Sequence, residues 1–141
     1  DALFLNVSFV GSVALLNALA GETDNVIVTQ VVPHYESAFS AVKQYRQLFS
    51  QYFPGISPGF VSLEGFLAAN LFVQGIKNVS GNINRESLID GINKIGQINL
   101  GIGSTINVSA TEHQASHKVW PTTIKNNKYI ELDWVNLRGK I

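Results

Sequence analysis

Two of the three histidines in this chain stand four residues apart, His113 and His117, with Glu112 beside the first. On a helix, that spacing would put both imidazoles on one face, where they and a carboxylate could hold a divalent cation. The segment Thr111-Glu-His-Gln-Ala-Ser-His117 belongs instead to a region rich in Gly, Ser and Thr that reads as extended. A hydrogen-bonded connection between folded parts accounts for it better than a metal centre. The Ser and Thr residues form no convincing catalytic set, and Gly101-Ile-Gly103 lacks the third glycine and the strand-turn-helix setting of a phosphate loop. Cysteine is absent, which excludes disulfides, thiolate metal sites and cysteine nucleophiles. The chain reads as one that binds rather than transforms, with no catalytic residues, metal or cofactor. Asn-Val-Ser triplets at Asn6, Asn78 and Asn107 match the glycosylation sequon. Asn6 is expected in a buried strand, so the triplets read as incidental.

Composition narrows the partners. Ten basic and ten acidic residues cancel across 141 positions, which leaves no electrostatic footprint for nucleic acid or an anionic membrane. With 45% hydrophobic and 14% charged residues, the chain has the make-up of one globular domain or a piece of a larger protein. It starts at Asp1 without a basic leader, so a mature or trimmed chain is the expectation.

The elements that must position any site follow from periodicity. Leu3–Ser8 reads as a short buried strand, and Ser12 as the cap of a helix through Ala20, with Val13, Leu15, Leu16 and Leu19 on its apolar face and Gly21 closing it. Asn25–Val32 is β-branched and almost continuously apolar, as in a strand covered on both faces. Strand, helix and strand at this spacing form a βαβ unit, which builds a parallel sheet. From Glu36 a helical pattern runs through Phe39, Val42, Tyr45, Arg46, Phe49 and Phe53 to Pro54-Gly55. Asn84 and Ser87 start another helix, through Ile95, with Leu88, Ile89, Ile92 and Ile95 inward. Ile98–Val108 reads as short extended pieces around turns. Lys118–Ile124 and Lys128–Trp134 read as strands joined by Asn126-Asn127, with Pro121 marking an edge or a distortion.

Phe60–Ile76 is the most apolar run and reads as the central helix, capped by Ser62 with Glu64 in its first turn. Large side chains at Leu63, Phe66, Leu67, Phe72, Val73 and Ile76 line one broad face. Small ones at Gly65, Ala68, Ala69 and Gly75 allow close approach on the other, so most of the circumference is expected to be covered. Glu64, Asn70 and Gln74 interrupt the run and argue against a membrane span. The order β-α-β, three helices, β-β is odd for a self-contained domain, because the helices need a sheet that the chain does not contain.

Four stretches carry a resemblance: Ser8-Phe-Val-Gly-Ser12 after a strand, Val26-Ile-Val-Thr-Gln-Val-Val-Pro33 before a long helix, Val61-Ser-Leu-Glu-Gly-Phe-Leu-Ala-Ala69, and Thr111-Glu-His-Gln-Ala-Ser-His-Lys-Val119. In this order and spacing, the chain resembles the final two-fifths of the type I periplasmic solute-binding proteins of the branched-chain amino acid (Leu/Ile/Val) class. The resemblance implies an α/β chain forming part of a two-lobe fold, a parallel sheet flanked by helices with the N-terminal part absent. Residues 1–33 would be a second-lobe β-α-β segment and 34–113 a first-lobe helical segment. Residues 114–141 would return to the second lobe as a hairpin and tail.

The function implied is extracytoplasmic, in the periplasm or outside the cell. A small solute, an amino acid or similar polar molecule, would be held in an inter-lobe cleft for delivery to an ABC transporter permease. The alternative is a ligand-sensing domain fused to a membrane signalling protein. In α/β proteins ligands sit beyond the carboxyl ends of strands, where Ser8 and Phe9 align with the family's cleft loop. Leu/Ile/Val-binding members have a carboxylate at the position of Ser8 to meet the ligand ammonium, and a hydroxyl cannot neutralise that charge. Phe9 has a core reading beside the ligand one. Glu64 is divided between the cleft and the helix start, and His34 sits at a crossover as a hinge or cleft-rim residue. Self-association of the chain through its uncovered apolar faces and strand edges is expected.

Overall fold

Val26, Val28 and Ile27 make one strand nearly free of solvent contact because it has neighbours on both sides, and the rest of its sheet is arranged about it. The computed structural model describes residues 2–137. In chain order its elements are β1 (Phe4–Val7), α1 (Ser12–Leu19), β2 (Val26–Gln30), α2 (Ser40–Tyr52), α3 (Phe60–Lys77) and α4 (Arg85–Asn93). They continue with β3 (Gly96–Asn99), β4 (Thr105–Val108), β5 (Trp120–Lys125), β6 (Lys128–Glu131) and α5 (Trp134–Leu137). The chain divides into two compact units, one drawn from Asp1–His34 and Val119–Ile141, the other Tyr35–Lys118. Among the described residues no helix is long and apolar enough to cross a membrane.

The first unit is a mixed sheet in the order β1-β2-β5-β6. β1 and β2 are parallel, as the βαβ spacing requires, and the β5–β6 hairpin joins β2 antiparallel. Asn126 and Asn127 both take positive φ, 51° and 59°, the backbone a two-residue hairpin turn needs. Threonine hydroxyls reinforce the ladder: Thr122 Oγ1 donates to the Val28 carbonyl at 2.9 Å and Thr123 Oγ1 to that of Val26 at 2.8 Å. α1 is tied to β6 by the Tyr129 hydroxyl, which donates to the Ser12 carbonyl at 2.9 Å.

Several expectations need correction here. β1 is not buried: it is an edge strand, with Phe4, Leu5 and Val7 exposed and Asn6 half-buried. The reason given for treating the sequons as incidental therefore falls. Ser12 does not cap α1. Gly11, at φ 79°, holds that place and its carbonyl accepts the Leu15 N–H at 3.0 Å. Val13 lies off the inner face, and Ala20 closes the helix in the left-handed region ahead of Gly21. Pro121 lies in an interior strand. In an extended strand one residue's N and O point to the same side, and the Pro121 carbonyl accepts from Leu132 on the β6 side. The missing N–H therefore falls beyond the end of β6 and leaves the ladder to β2 intact. Beyond Glu131 the strand gives way to α5, where Asp133 Oδ1 accepts the Val135 N–H at 3.0 Å and starts a helical turn.

The second unit holds α2, α3, α4 and the β3–β4 hairpin. Its core joins Ala41, Val42 and Tyr45 of α2 to Phe60, Leu63 and Leu67 of α3, with Ile102, Ile106 and Val108 from the hairpin region. The Gly101 carbonyl accepts the Ala41 N–H and so caps α2, whose N-cap residue Phe39 has no side-chain acceptor. α3 and α4 approach closely through Gly75 and Gly91, where a Cβ on Gly91 would lie 2.4 Å from the Gly75 carbonyl oxygen. Asn84 and Ser87 form the expected capping box at the start of α4, and Ile89 turns out exposed.

The central helix differs most from expectation. α3 starts at Phe60, with Gly59 as N-cap, and Ser62 acts from inside the first turn by accepting the Gly59 N–H at 3.3 Å. Glu64 is then the fifth helical residue, exposed and outside the first turn. Nor is α3 covered on most sides: Val61, Phe72 and Val73 are 71%, 46% and 45% exposed, an apolar face that nothing in this unit covers. Tyr35 packs edge-on against Phe60 at 4.9 Å. Burial, helped by the Glu36 charge and Tyr45, raises its phenol above the ordinary 10.0.

Candidate functional site

The site with the strongest geometric case lies at the carboxyl ends of the parallel pair β1 and β2 in the first unit. Immediately after β1 the chain closes a 3-10 turn, Ser8–Val10, in which the Ser8 carbonyl accepts the Gly11 N–H at 3.0 Å. Gly11 can take φ 79° and turn the chain into α1, so the turn projects from the strand end instead of continuing it. Ser8 is half-buried. Phe9 is 98% exposed, which removes its core reading: a phenyl ring held out by a short structured turn has its whole surface available.

The residues after β2 behave differently. Val32, Pro33 and His34 are buried while Val31 is exposed. The His34 Nε2 lies 3.0 Å from the Tyr129 carbonyl, a geometry that fits an Nε2–H donor. This contact holds the segment that leaves β2 against the backbone of β6. His34 is thus a buried, engaged side chain at the end of its unit, not an open rim residue. Just across the unit boundary, Arg46 donates to the Tyr35 and Ser37 carbonyls at 3.0 and 3.1 Å, fixing the first residues of the second unit within that unit.

Of the residues picked out from sequence, the structure brings Ser8 and Phe9 together on one turn and places His34 in the same unit. Glu64 belongs to the other unit. Sequence reasoning missed Val31, Val119 and Gln30 at this sheet edge. Gln30 is fully buried, with Nε2 donating to Thr122 Oγ1 at 3.3 Å and Oε1 unpartnered among the described residues. Gln30 ends β2, Val31 follows it and Val119 precedes β5, so only the sheet order brings them to the end of the sheet from which the Ser8–Val10 turn leaves.

Elsewhere, His117 Nε2 stands 3.5 Å from Glu112 Oε2 on the exposed surface of the second unit. Among the described residues no three His, Cys, Asp or Glu side chains gather in a way that could hold a metal. A cavity of about 350 Å³ beside that pair is lined by polar groups, including Asn107, Gln114 and Lys118. A larger concavity, about 870 Å³, runs along β1 and α1 between Phe4, Leu15, Leu19 and Val26.

Comparison with known proteins agrees with this architecture. The profile of a family described as periplasmic binding protein matches residues 3–128. A solved structure of a possible leucine/isoleucine/valine-binding protein from Rhodopirellula baltica SH 1 is 36% identical and superposes with a TM-score of 0.91, over 97% of this chain and 37% of its own. An extracellular ligand-binding receptor from Verminephrobacter eiseniae ef01-2 is 18% identical, with a TM-score of 0.74 over 91% of this chain and 37% of its own. A fatty acid ABC transporter substrate-binding protein from Thermomonospora curvata is 15% identical, with a TM-score of 0.69 over 84% and 33%. These last two share the fold. None of the curated proteins matches the sequence. The chain thus spans 37% of the length of the Rhodopirellula structure, and with a profile match over nearly all its residues it belongs to the periplasmic binding protein family.

Proposed function

We propose that this chain is part of an extracytoplasmic receptor that binds a small solute and delivers it to an ABC transporter permease. The observation that carries the reading is the Ser8–Val10 turn: an exposed phenyl and a half-buried hydroxyl at the carboxyl end of a parallel strand, in a chain of a solute-binding family. Amino acids and similar small polar molecules are the first class to test, because the 36%-identical structure bears a leucine/isoleucine/valine-binding name. We assign Asp1–His34 and Val119–Ile141 to one lobe of the receptor and Tyr35–Lys118 to the other. The apolar surfaces left on β1 and α3 suit contacts with the remaining length of such a protein.

The test uses the full-length protein from its natural gene. Thermal-shift screening against amino acids, organic acids, sugars and polyols is expected to find a solute that raises the melting midpoint, and deleting the gene is expected to abolish high-affinity uptake of that solute. A solute that binds while uptake is unchanged would favour the sensing role. No stabilising solute in any class would contradict the receptor reading.

A further inference from the structure

Of the residues in β6 only Tyr129 is buried, and it is held from two directions. Its carbonyl accepts from His34 Nε2 at 3.0 Å, and its hydroxyl donates to the Ser12 carbonyl at 2.9 Å. A strand residue carries its carbonyl in the plane of the ladder and its side chain out of that plane, so the two bonds reach different neighbours. One neighbour is His34, the last residue of the first unit before the chain passes to Tyr35. The other is Ser12, the first residue of α1, which follows the Ser8–Val10 turn by way of Gly11. Both polar groups of that glycine are engaged, its N–H with the Ser8 carbonyl and its carbonyl with the Leu15 N–H, each at 3.0 Å. Consecutive hydrogen bonds therefore join the turn, the start of α1, β6 and the exit from the unit.

The bond between His34 and Tyr129 is buried, where giving up a hydrogen bond costs more than it does in water. A shift at one end of the path is therefore passed on more cheaply than it is absorbed by breaking a bond. We propose that Tyr129 is a positioning residue that couples the Ser8–Val10 turn to the point where the chain leaves the first unit. Its carbonyl fixes the exit and its hydroxyl fixes the start of α1, so displacing one displaces the other. The use of this link rests on the receptor reading: a solute seated at the turn biases the path of the chain into the second unit. By reciprocity, that path biases the turn.

A double-mutant cycle read by hydrogen exchange isolates the coupling. Full-length protein without solute is compared as wild type, Tyr129→Phe, His34→Ala and the double variant, with peptides of β2 as the reference for opening of the whole unit. Tyr129→Phe removes the hydroxyl and keeps the carbonyl that His34 meets. His34→Ala removes the donor at the other end and leaves the hydroxyl in place. His34→Ala is expected to speed exchange in peptides covering Ser8–Leu15 by about two- to tenfold, the range set by one hydrogen bond. In the Tyr129→Phe background, the same substitution should add nothing there. Tyr129→Phe alone should speed exchange in a peptide covering Val31–Tyr35. Two bonds that served structure independently would instead multiply their effects at Ser8–Leu15 in the double variant. That multiplication, or an unmoved Ser8–Leu15 in His34→Ala, overturns the inference. If His34→Ala does not fold, Tyr129→Phe decides: faster exchange at Val31–Tyr35 supports the coupling and unchanged exchange there overturns it. No solute enters this cycle, so its failure leaves the receptor reading standing. Failure of the solute screen would remove the use of the link but not the link.

Discussion

β1 and β2 lie side by side in parallel register and are both predominantly apolar, yet their fates differ. Four of the five β2 residues are buried and none of the four in β1 is. Val28 is 1% exposed and Leu5 is 70% exposed. The cause is sheet order: β2 has β1 on one side and β5 on the other, whereas β1 is the edge. α3 repeats the lesson within one helix, where Leu63 is fully buried and Val61, two residues earlier, is 71% exposed. Residue type shows what a position can bury; neighbours decide what it does bury.

The largest test of this contrast is a charge on each strand. Val28→Asp places an unpaired carboxylate in the core of the first unit and is expected to abolish soluble folding, since the cost is several kcal/mol against a total stability of about 5–15 kcal/mol. Leu5→Asp in the 141-residue chain should change the denaturant midpoint by less than about 0.5 kcal/mol equivalent. Equal damage from both would mean that β1 is covered after all.

A smaller contrast uses glycines in the second unit. Gly91→Ala would bring a methyl 2.4 Å from the Gly75 carbonyl oxygen and 3.0 Å from Val79 Cγ2. Chemical denaturation should show a loss of about 1–3 kcal/mol. Gly65→Ala, with nothing within 4 Å, lies on the exposed side of α3. It should stabilise by about 0.5–1 kcal/mol through helix propensity alone. A stabilising Gly91→Ala would show that α3 and α4 are packed less closely than described. Below these comes the capping box of α4: Ser87→Ala removes the side chain that meets the Asn84 N–H at 2.9 Å, at an expected cost of about 1 kcal/mol.

What could be read in advance follows the same division. The Asn126-Asn127 turn and the Asn84 and Ser87 cap depend on residues adjacent in sequence, and both could be read directly. The start of α3 could not, because Ser62 works together with the Tyr45 hydroxyl 2.6 Å away, a partner on another helix. That Phe9, Val31 and Val119 all lie at one end of the first sheet was hidden for the same reason: it follows only once β2 lies between β1 and β5. Ser8 and Phe9 could be placed at the carboxyl end of β1 in advance because the βαβ pattern locates a parallel strand's end and the resemblance aligned them with a cleft loop.

The smallest expected effect is a pH dependence at Tyr35. Its folded-state pKa is raised above 10.0, burial first among the causes, so the neutral phenol is favoured in the folded protein. That contribution is fully present below the unfolded value and is lost as pH rises through the raised folded value. Stability profiles above pH 10 should therefore fall more steeply in the wild type than in Tyr35→Phe.

The central claim is that the carboxyl edge of the first unit meets the solute. Hydrogen exchange by mass spectrometry on the full-length protein, with and without the solute found by screening, tests it most directly. The account predicts slowed exchange in peptides covering Ser8–Val10 and the residues that follow β2, with peptides at the opposite end of the sheet, around Asn126-Asn127, unchanged. Unaltered exchange at Ser8–Val10 under saturating solute would contradict it.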